Sequence, residues 1–138
     1  MDKKKDLADK LRSSGLRPTK QRVKLAEYLF NRDKTFHFTV ENLDKAINKR
    51  NSEDKIALAT IYNTVHAFKK AGHLKEILLK EGKSYFDTNT ASHHHFYDAD
   101  SNELTDIHFN EIEVTKLPHP PRGKQIKDLE VVIGLKKI

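Results

Sequence analysis

The spacing of apolar residues changes period at Gly72, and that switch limits the fold of this 138-residue chain more than any other feature. Before Gly72, apolar side chains recur every three or four positions, as an amphipathic helix requires. After it they fall into short runs separated by turn residues, as strands require. A first helix is expected over residues 2–14, with Leu7 and Leu11 four apart and Gly15 ending it. Leu16-Arg17-Pro18-Thr19 breaks the chain. Thr19 is placed to cap a second helix reaching Phe30, with Val23, Ala26, Leu29 and Phe30 on one face. Thr39 is expected to cap a third helix striped by Val40, Leu43 and Ile47, and the polar stretch 49–55 reads as a linker. A fourth helix over residues 58–71 turns Leu58, Ile61, Val65 and Phe68 inward and stops at Gly72.

Residues 74–79 and 84–87 flank Lys80-Glu81-Gly82-Lys83, the pattern of a β-hairpin. Helices whose last member runs directly into a hairpin have the order of a winged helix-turn-helix. In that arrangement the last helix enters the major groove of DNA and the hairpin touches phosphates. Residues 92–97 and 103–107 read as short strands, 109–117 as a short helix stopped by Pro118, Pro120 and Pro121, and 127–135 as a last strand. The expected fold class is α+β: a winged helix-turn-helix domain over residues 1–88, a hinge at 89–91, and a small α/β domain over 92–138. So short a second half buries little surface alone and is expected to pair with a second copy, making a homodimer.

Charge follows the same division. Residues 1–88 hold 20 Lys+Arg against 12 Asp+Glu, a net of +8; residues 89–138 hold 6 against 8, a net of −2, and together they give the chain's +6. A basic half joined to a mildly acidic one points to a polyanion partner for the first half alone. No apolar run approaches the ~20 residues of a bilayer helix. The polar start from Met1 to Lys5 lacks the apolar stretch of a signal peptide, so a cytoplasmic protein with no membrane partner is expected. The chain has no cysteine, which removes disulfides, thiolate metal sites and cysteine nucleophiles together.

On the fourth helix, inward Ile61, Val65 and Phe68 leave Thr60, Tyr62, Asn63 and His66 on the other faces. Asn pairs bidentately with adenine, and a Thr methyl or an aromatic edge suits the thymine methyl, so this face can read sequence in double-stranded DNA. Arg17, Thr19, Lys20 and Arg22 near the second helix are the matching candidates for DNA contact. Lys24, Lys69, Lys70 and the wing residues Lys80 and Lys83 add further positive charge for phosphates.

His93-His94-His95 carries the strongest chemical signal. In a strand, His93 and His95 share one face and His94 takes the other, so two imidazoles form a chelating pair for a metal ion or for haem iron.

Five segments, Gly15-Leu-Arg-Pro-Thr-Lys-Gln-Arg22, His37-Phe-Thr-Val-Glu-Asn-Leu43, Ala57-Leu-Ala-Thr-Ile-Tyr-Asn-Thr-Val65, Gly82-Lys-Ser-Tyr-Phe-Asp87 and His93-His-His95, span nearly the whole chain. In them the chain resembles the ferric uptake regulator family of dimeric winged-helix repressors that sense metal ions. The resemblance implies a DNA-binding domain, a hinge, a dimerisation domain, and a palindromic operator. It also places a regulatory metal site on His37, Asp87, His93, His95 and Asp106, a donor set suited to Fe(II), Mn(II) or Zn(II). The family's cysteine-bound structural zinc has no counterpart here: Asp98 and Ser101 stand where its first Cys pair belongs, and the second pair is absent too. A further family metal site uses a His whose matching position is Leu129.

These departures, the triple histidine and the ending around Leu117-Pro-His-Pro-Pro-Arg122 make the chain most similar to the iron response regulator branch. That resemblance implies a regulator of iron and haem metabolism genes that senses haem through His93, His94 and His95 and releases DNA when haem binds. A haem-supplying enzyme is then a further partner. Within the same family stand a plain Fe, Mn or Zn corepressor, in which the ligand strengthens DNA binding, and a peroxide sensor with the same ligand set. From another class comes a metal-dependent hydrolase. The chain has no nucleophile elbow, phosphate loop or metalloprotease helix to support it, so it is not expected to be an enzyme.

Overall fold

The computed structural model describes residues 3–49 and 53–138. Asp2 of the expected first helix and residues 50–52 of the expected linker lie outside the described residues. The chain divides into two compact units, Met1–Thr90 and Ala91–Ile138.

In the first unit, α1 (Lys3–Ser13) buries Leu7 and Leu11. It ends in a left-handed turn at Gly15, φ 86°, where Leu16 N–H reaches Leu11 O at 2.8 Å and Gly15 N–H reaches Arg12 O at 3.0 Å. Helix α4 (Leu58–Lys70) closes the same way through Gly72, φ 89°, with His73 N–H on Phe68 O. Both positions need a residue that tolerates positive φ, which is why glycine stands there. Helix α2 (Lys20–Phe30) starts on Thr19, whose Oγ1 accepts from Arg22 N–H. Helix α3 (Val40–Ile47) starts on a reciprocal cap: Thr39 Oγ1 accepts from Asn42 N–H, and Asn42 Oδ1 accepts from Thr39 N–H. Asn48 braces the chain before α4, its amide donating to Ile56 O and accepting from Ile56 N–H, both at 2.7 Å.

A three-stranded antiparallel sheet completes the unit in the order β1 (His37–Phe38), β3 (Ser84–Asp87), β2 (Lys75–Leu78). The β2–β3 hairpin is the wing. Leu25, Leu29, Leu43, Ile61, Val65, Phe68 and Phe86 form the core between helices and sheet. The structure corrects two details of the helical pattern. Leu58 is 47% exposed, because it sits in the first turn of α4, before the helix meets the others. On α2 Ala26 and Leu29 are buried as expected and are joined by Leu25, whereas Val23 and Phe30 are only partly covered.

In the second unit, β4 (His94–Asp98) lies between β5 (Glu103–Ile107), antiparallel, and β6 (Val132–Leu135), parallel. An Asx turn joins the first two, with Asp98 Oδ1 accepting from Asp100 N–H. The helix expected over 109–117 is a single 3-10 turn, Phe109–Glu111, and residues 113–129 are exposed. Val114 and Thr115 are β-branched and Pro118 disfavours helix at the residue before it, so propagation fails after one turn. Among the described residues no helix is long and apolar enough to cross a membrane.

His73 ties α1 to the end of α4. Its Nε2 lies 2.8 Å from Ser14 Oγ, whose hydroxyl donates to Leu11 O, so the imidazole is the donor. Phe30 and Phe68 flank the ring. Burial, and secondarily the charge of Lys10, push the His73 pKa down. With the folded pKa depressed, the unfolded chain takes up the proton first. This contribution to stability is therefore intact above about pH 6.5, the ordinary imidazole value, and is lost as the pH falls through the depressed one. The urea midpoint of the parent is expected to drop more between pH 7.5 and pH 5.5 than that of His73→Gln. Equal drops would show that His73 is not the responsible group.

Candidate functional site

Each unit presents a cluster of metal-compatible side chains. In the first unit, β1 is only two residues long and exists because β3 pairs with it, placing His37 directly across from Asp87. Thr88 extends the ladder, accepting from Phe36 N–H through its hydroxyl and donating its own N–H to Phe36 O. His37 Nε2 lies 3.4 Å from Asp87 Oδ2. Asp87 is fully buried, and its other oxygen accepts from Asn89 N–H at 2.8 Å as the chain leaves the strand.

In the second unit, the register of β4 and β5 sets His95 opposite Asp106, and His93 lies one residue before β4 on the same side. Nε2 of His93 and Nε2 of His95 approach the same oxygen, Asp106 Oδ1, at 3.3 Å and 3.2 Å. Both histidines are buried, and their rings stand 4.4 Å apart. Ligand atoms from these three residues lie within 4.8 Å of one another. The opposite nitrogen of His93 has an acceptor of its own. His93 Nδ1 is 2.7 Å from Ala91 O, which can only accept, so Nδ1 carries the hydrogen and Nε2 the lone pair. His95 Nδ1 is 3.2 Å from Glu130 Oε1. Imidazole nitrogens converging on a carboxylate oxygen form a donor set suited to a borderline divalent cation, so the residues fit such an ion.

His94 faces the other way. Its Nδ1 accepts from Val131 N–H at 2.9 Å, so it fastens the segment before β6. Of the residues expected for metal, His37 and Asp87 meet in one unit and His93, His95 and Asp106 in the other. Glu130 went unrecognised because its approach depends on the parallel pairing of β6 with β4, which no local pattern announces.

The residues expected to meet DNA are all in the first unit. On α4, Tyr62, Asn63 and His66 are exposed and Thr60 is half-buried. The Tyr62 hydroxyl donates to Glu41 Oε1 on α3 at 2.9 Å, which raises its pKa and fixes the ring near-parallel to His66. Arg17, Thr19 and Lys20 are exposed, Thr19 Oγ1 being engaged in capping α2. Arg22 donates to Arg17 O, and Lys20 lies 4.0 Å from Asp54. Lys69 is paired with Glu76 on the wing, which partly spends its charge. Lys70, Lys80 and Lys83 are exposed.

Residues 13–133 match the ferric uptake regulator family model. The peroxide-responsive repressor PerR of Staphylococcus epidermidis is 31% identical over 103 residues, 75% of this chain and 66% of the relative, so the chain spans about two thirds of that protein's length. The ferric uptake regulator of Pseudomonas aeruginosa, solved with manganese, is similar at TM-score 0.68 and 26% identity, over 94% of this chain and 96% of that one. The Vibrio cholerae ferric uptake regulator matches at TM-score 0.73 and 24% identity, over 95% and 99%, a likeness of fold.

Proposed function

This chain belongs to the ferric uptake regulator family, whose members are transcription regulators rather than enzymes, and we propose that it is a homodimeric DNA-binding regulator switched by one divalent ion held by His37, Asp87, His93, His95 and Asp106. The observation that carries this reading is the convergence of the His93 and His95 Nε2 atoms on Asp106 Oδ1. Asp87 and His93 are only six positions apart, a span of at most about 20 Å, so the hinge can bring both clusters to one ion. The bound cation supplies a fixed positive charge that favours closure of the donors around it.

The protein's own residues convert closure into DNA recognition. His37 and Asp87 are rooted in the sheet that carries the wing, so restraining them restrains the unit bearing α4. His95 and Asp106 are rooted in β4 and β5 of the unit proposed to dimerise. Exposed Phe109, Leu117, Ile126, Val132 and Leu135 there support pairing with a second copy. The angle between units then sets the distance between two copies of α4 on a palindrome. In this reading Tyr62, Asn63, His66 and Thr60 read bases, and Arg17, Thr19, Lys20 and Arg22 position the backbone.

Selection from a random duplex library in Mn(II), and separately in EDTA, tests the reading. An inverted repeat recovered only with Mn(II) is expected, with affinity falling steeply as salt rises. Asn63→Ala should cost about 1–3 kcal/mol on that repeat and relax one base position. The same repeat recovered in EDTA defeats the switch; no enrichment in either condition defeats the DNA reading.

Haem control, as in the iron response regulator branch, is the second reading, supported by the triple histidine and by Asp98 and Ser101 in place of cysteines. It reverses the sign, haemin releasing the repeat, and it gives a haem-supplying enzyme a role as partner. The burial of His93 and His95 against one carboxylate favours an ion over a porphyrin. A haemin Soret shift lost in His93→Ala and His95→Ala would reverse that preference. Peroxide sensing, suggested by the named relative, predicts a ligand histidine one oxygen atom heavier after Fe(II) and peroxide, but not after Mn(II) and peroxide.

A further inference from the structure

The imidazole of His95 stands between two carboxylates. Asp106 Oδ1 faces its Nε2 at 3.2 Å, and Glu130 Oε1 faces its Nδ1 at 3.2 Å. Glu130 is therefore on the far side of the ring from the other ligand atoms. We propose that Glu130 is a positioning residue: it holds the Nδ1 hydrogen of His95, fixes the tautomer that offers Nε2 as a lone-pair donor, and makes ion affinity depend on the anchoring of the last strand. The inference rests on the divalent-ion reading above.

A neutral imidazole carries one hydrogen, and the acceptor that takes it decides which nitrogen is left to bind a cation. A carboxylate in that position also raises the basicity of the donating nitrogen. For His93 the same task falls to the Ala91 carbonyl. For His95 it falls to a side chain more than thirty residues away in sequence.

That residue is held by two neighbouring bonds. His95 N–H donates to Val131 O at 3.1 Å, and Val131 N–H donates to His94 Nδ1 at 2.9 Å. His94 and His95 thus clip Val131 from both of its peptide groups and deliver Glu130 to the ring. The role of the middle histidine, which has no place among the donors, follows: it secures the segment that orients its neighbour. Because linkage is reciprocal, an ion on His95 Nε2 also strengthens the hold on β6, a strand whose four residues are all exposed within one chain.

Co(II) titration of the full chain, followed by visible absorption, tests the proposal. In Glu130→Ala the Co(II) affinity is expected to fall about 10–100-fold, with a changed ligand-field band, since the geometry at Nε2 is altered. Glu130→Gln keeps an acceptor for Nδ1–H and should recover most of the parent band with only part of the lost affinity. Apo thermal unfolding run in parallel shows whether each variant folds, and Glu130→Gln decides if Glu130→Ala does not. Parent-like affinity and band in Glu130→Ala, or in Glu130→Gln no recovery over alanine despite parent-like folding, overturns the positioning role alone. No Co(II) band in the parent overturns the ion reading and this one together.

Discussion

His95→Ala is expected to weaken Mn(II) binding by more than about a hundredfold, beyond the range for loss of a residue that only orients a ligand. The argument is geometric. His95 is fully buried, and its two nitrogens face carboxylates on opposite sides. Removing the ring deletes a donor and also leaves Asp106 and Glu130 without the group between them. Like charges gathered around a cavity oppose folding, so the apo protein should melt at a lower temperature as well. His95→Gln preserves bulk and a polar head and separates the two effects: it should recover part of the melting temperature and little of the affinity. Competition with a chelating dye measures the affinity directly. A change below about fivefold in both variants would mean that the ion is held elsewhere. His94→Ala offers the contrast from the opposite face of β4. It leaves the Val131 N–H without its acceptor, a cost of about 1–3 kcal/mol, and its effect on affinity should be at least an order of magnitude smaller than that of His95→Ala.

That contrast is legible in the sequence alone, because alternation along a strand needs no tertiary information: wherever β4 forms, residues 93 and 95 share a face. The caps at Thr19 and Thr39 and the stops at Gly15 and Gly72 were legible for the same reason, each being satisfied within a few residues of itself. His37 was not legible from pattern. A two-residue strand has no periodicity, and β1 owes its existence to the ladder it makes with β3 across about fifty residues of chain; only the resemblance to a known family singled out its side chain. Glu130 escaped both routes, since no local pattern predicts a parallel pairing of β6 with β4. The failed helix after Phe109 shows the reverse error, a periodic stretch with no surface to pack against and a proline at its end. Helical pattern also misled at Leu58, which shares the spacing of the core stripe but projects from the first turn of α4.

The last case separates pattern from packing in a single experiment. Phe68→Ala should destabilise the first unit by about 3–5 kcal/mol, the usual cost of emptying a buried aromatic site. Phe68 has no exposed surface, and Phe30 packs on it with ring centroids 5.6 Å apart. His73, which closes the end of α4 and reaches Ser14 on the α1 side, leans on the same ring. The cavity therefore opens where three helices and the closing turn meet, and little of the surrounding structure is free to collapse into it. In a unit of this size each kcal/mol moves the melting temperature by roughly 4–8 °C, so a fall of well over 10 °C is expected. Leu58→Ala, on the same helix and at the same periodic spacing, should shift stability by no more than about 0.5 kcal/mol. Chemical denaturation of both variants gives the two values. Similar losses for the pair would mean that the stripe, not the packing, had identified the core. A near-neutral Phe68→Ala would mean that α4 is held by something other than the side chains it buries, and the rigidity needed to present Tyr62, Asn63 and His66 to a groove would have to come from elsewhere.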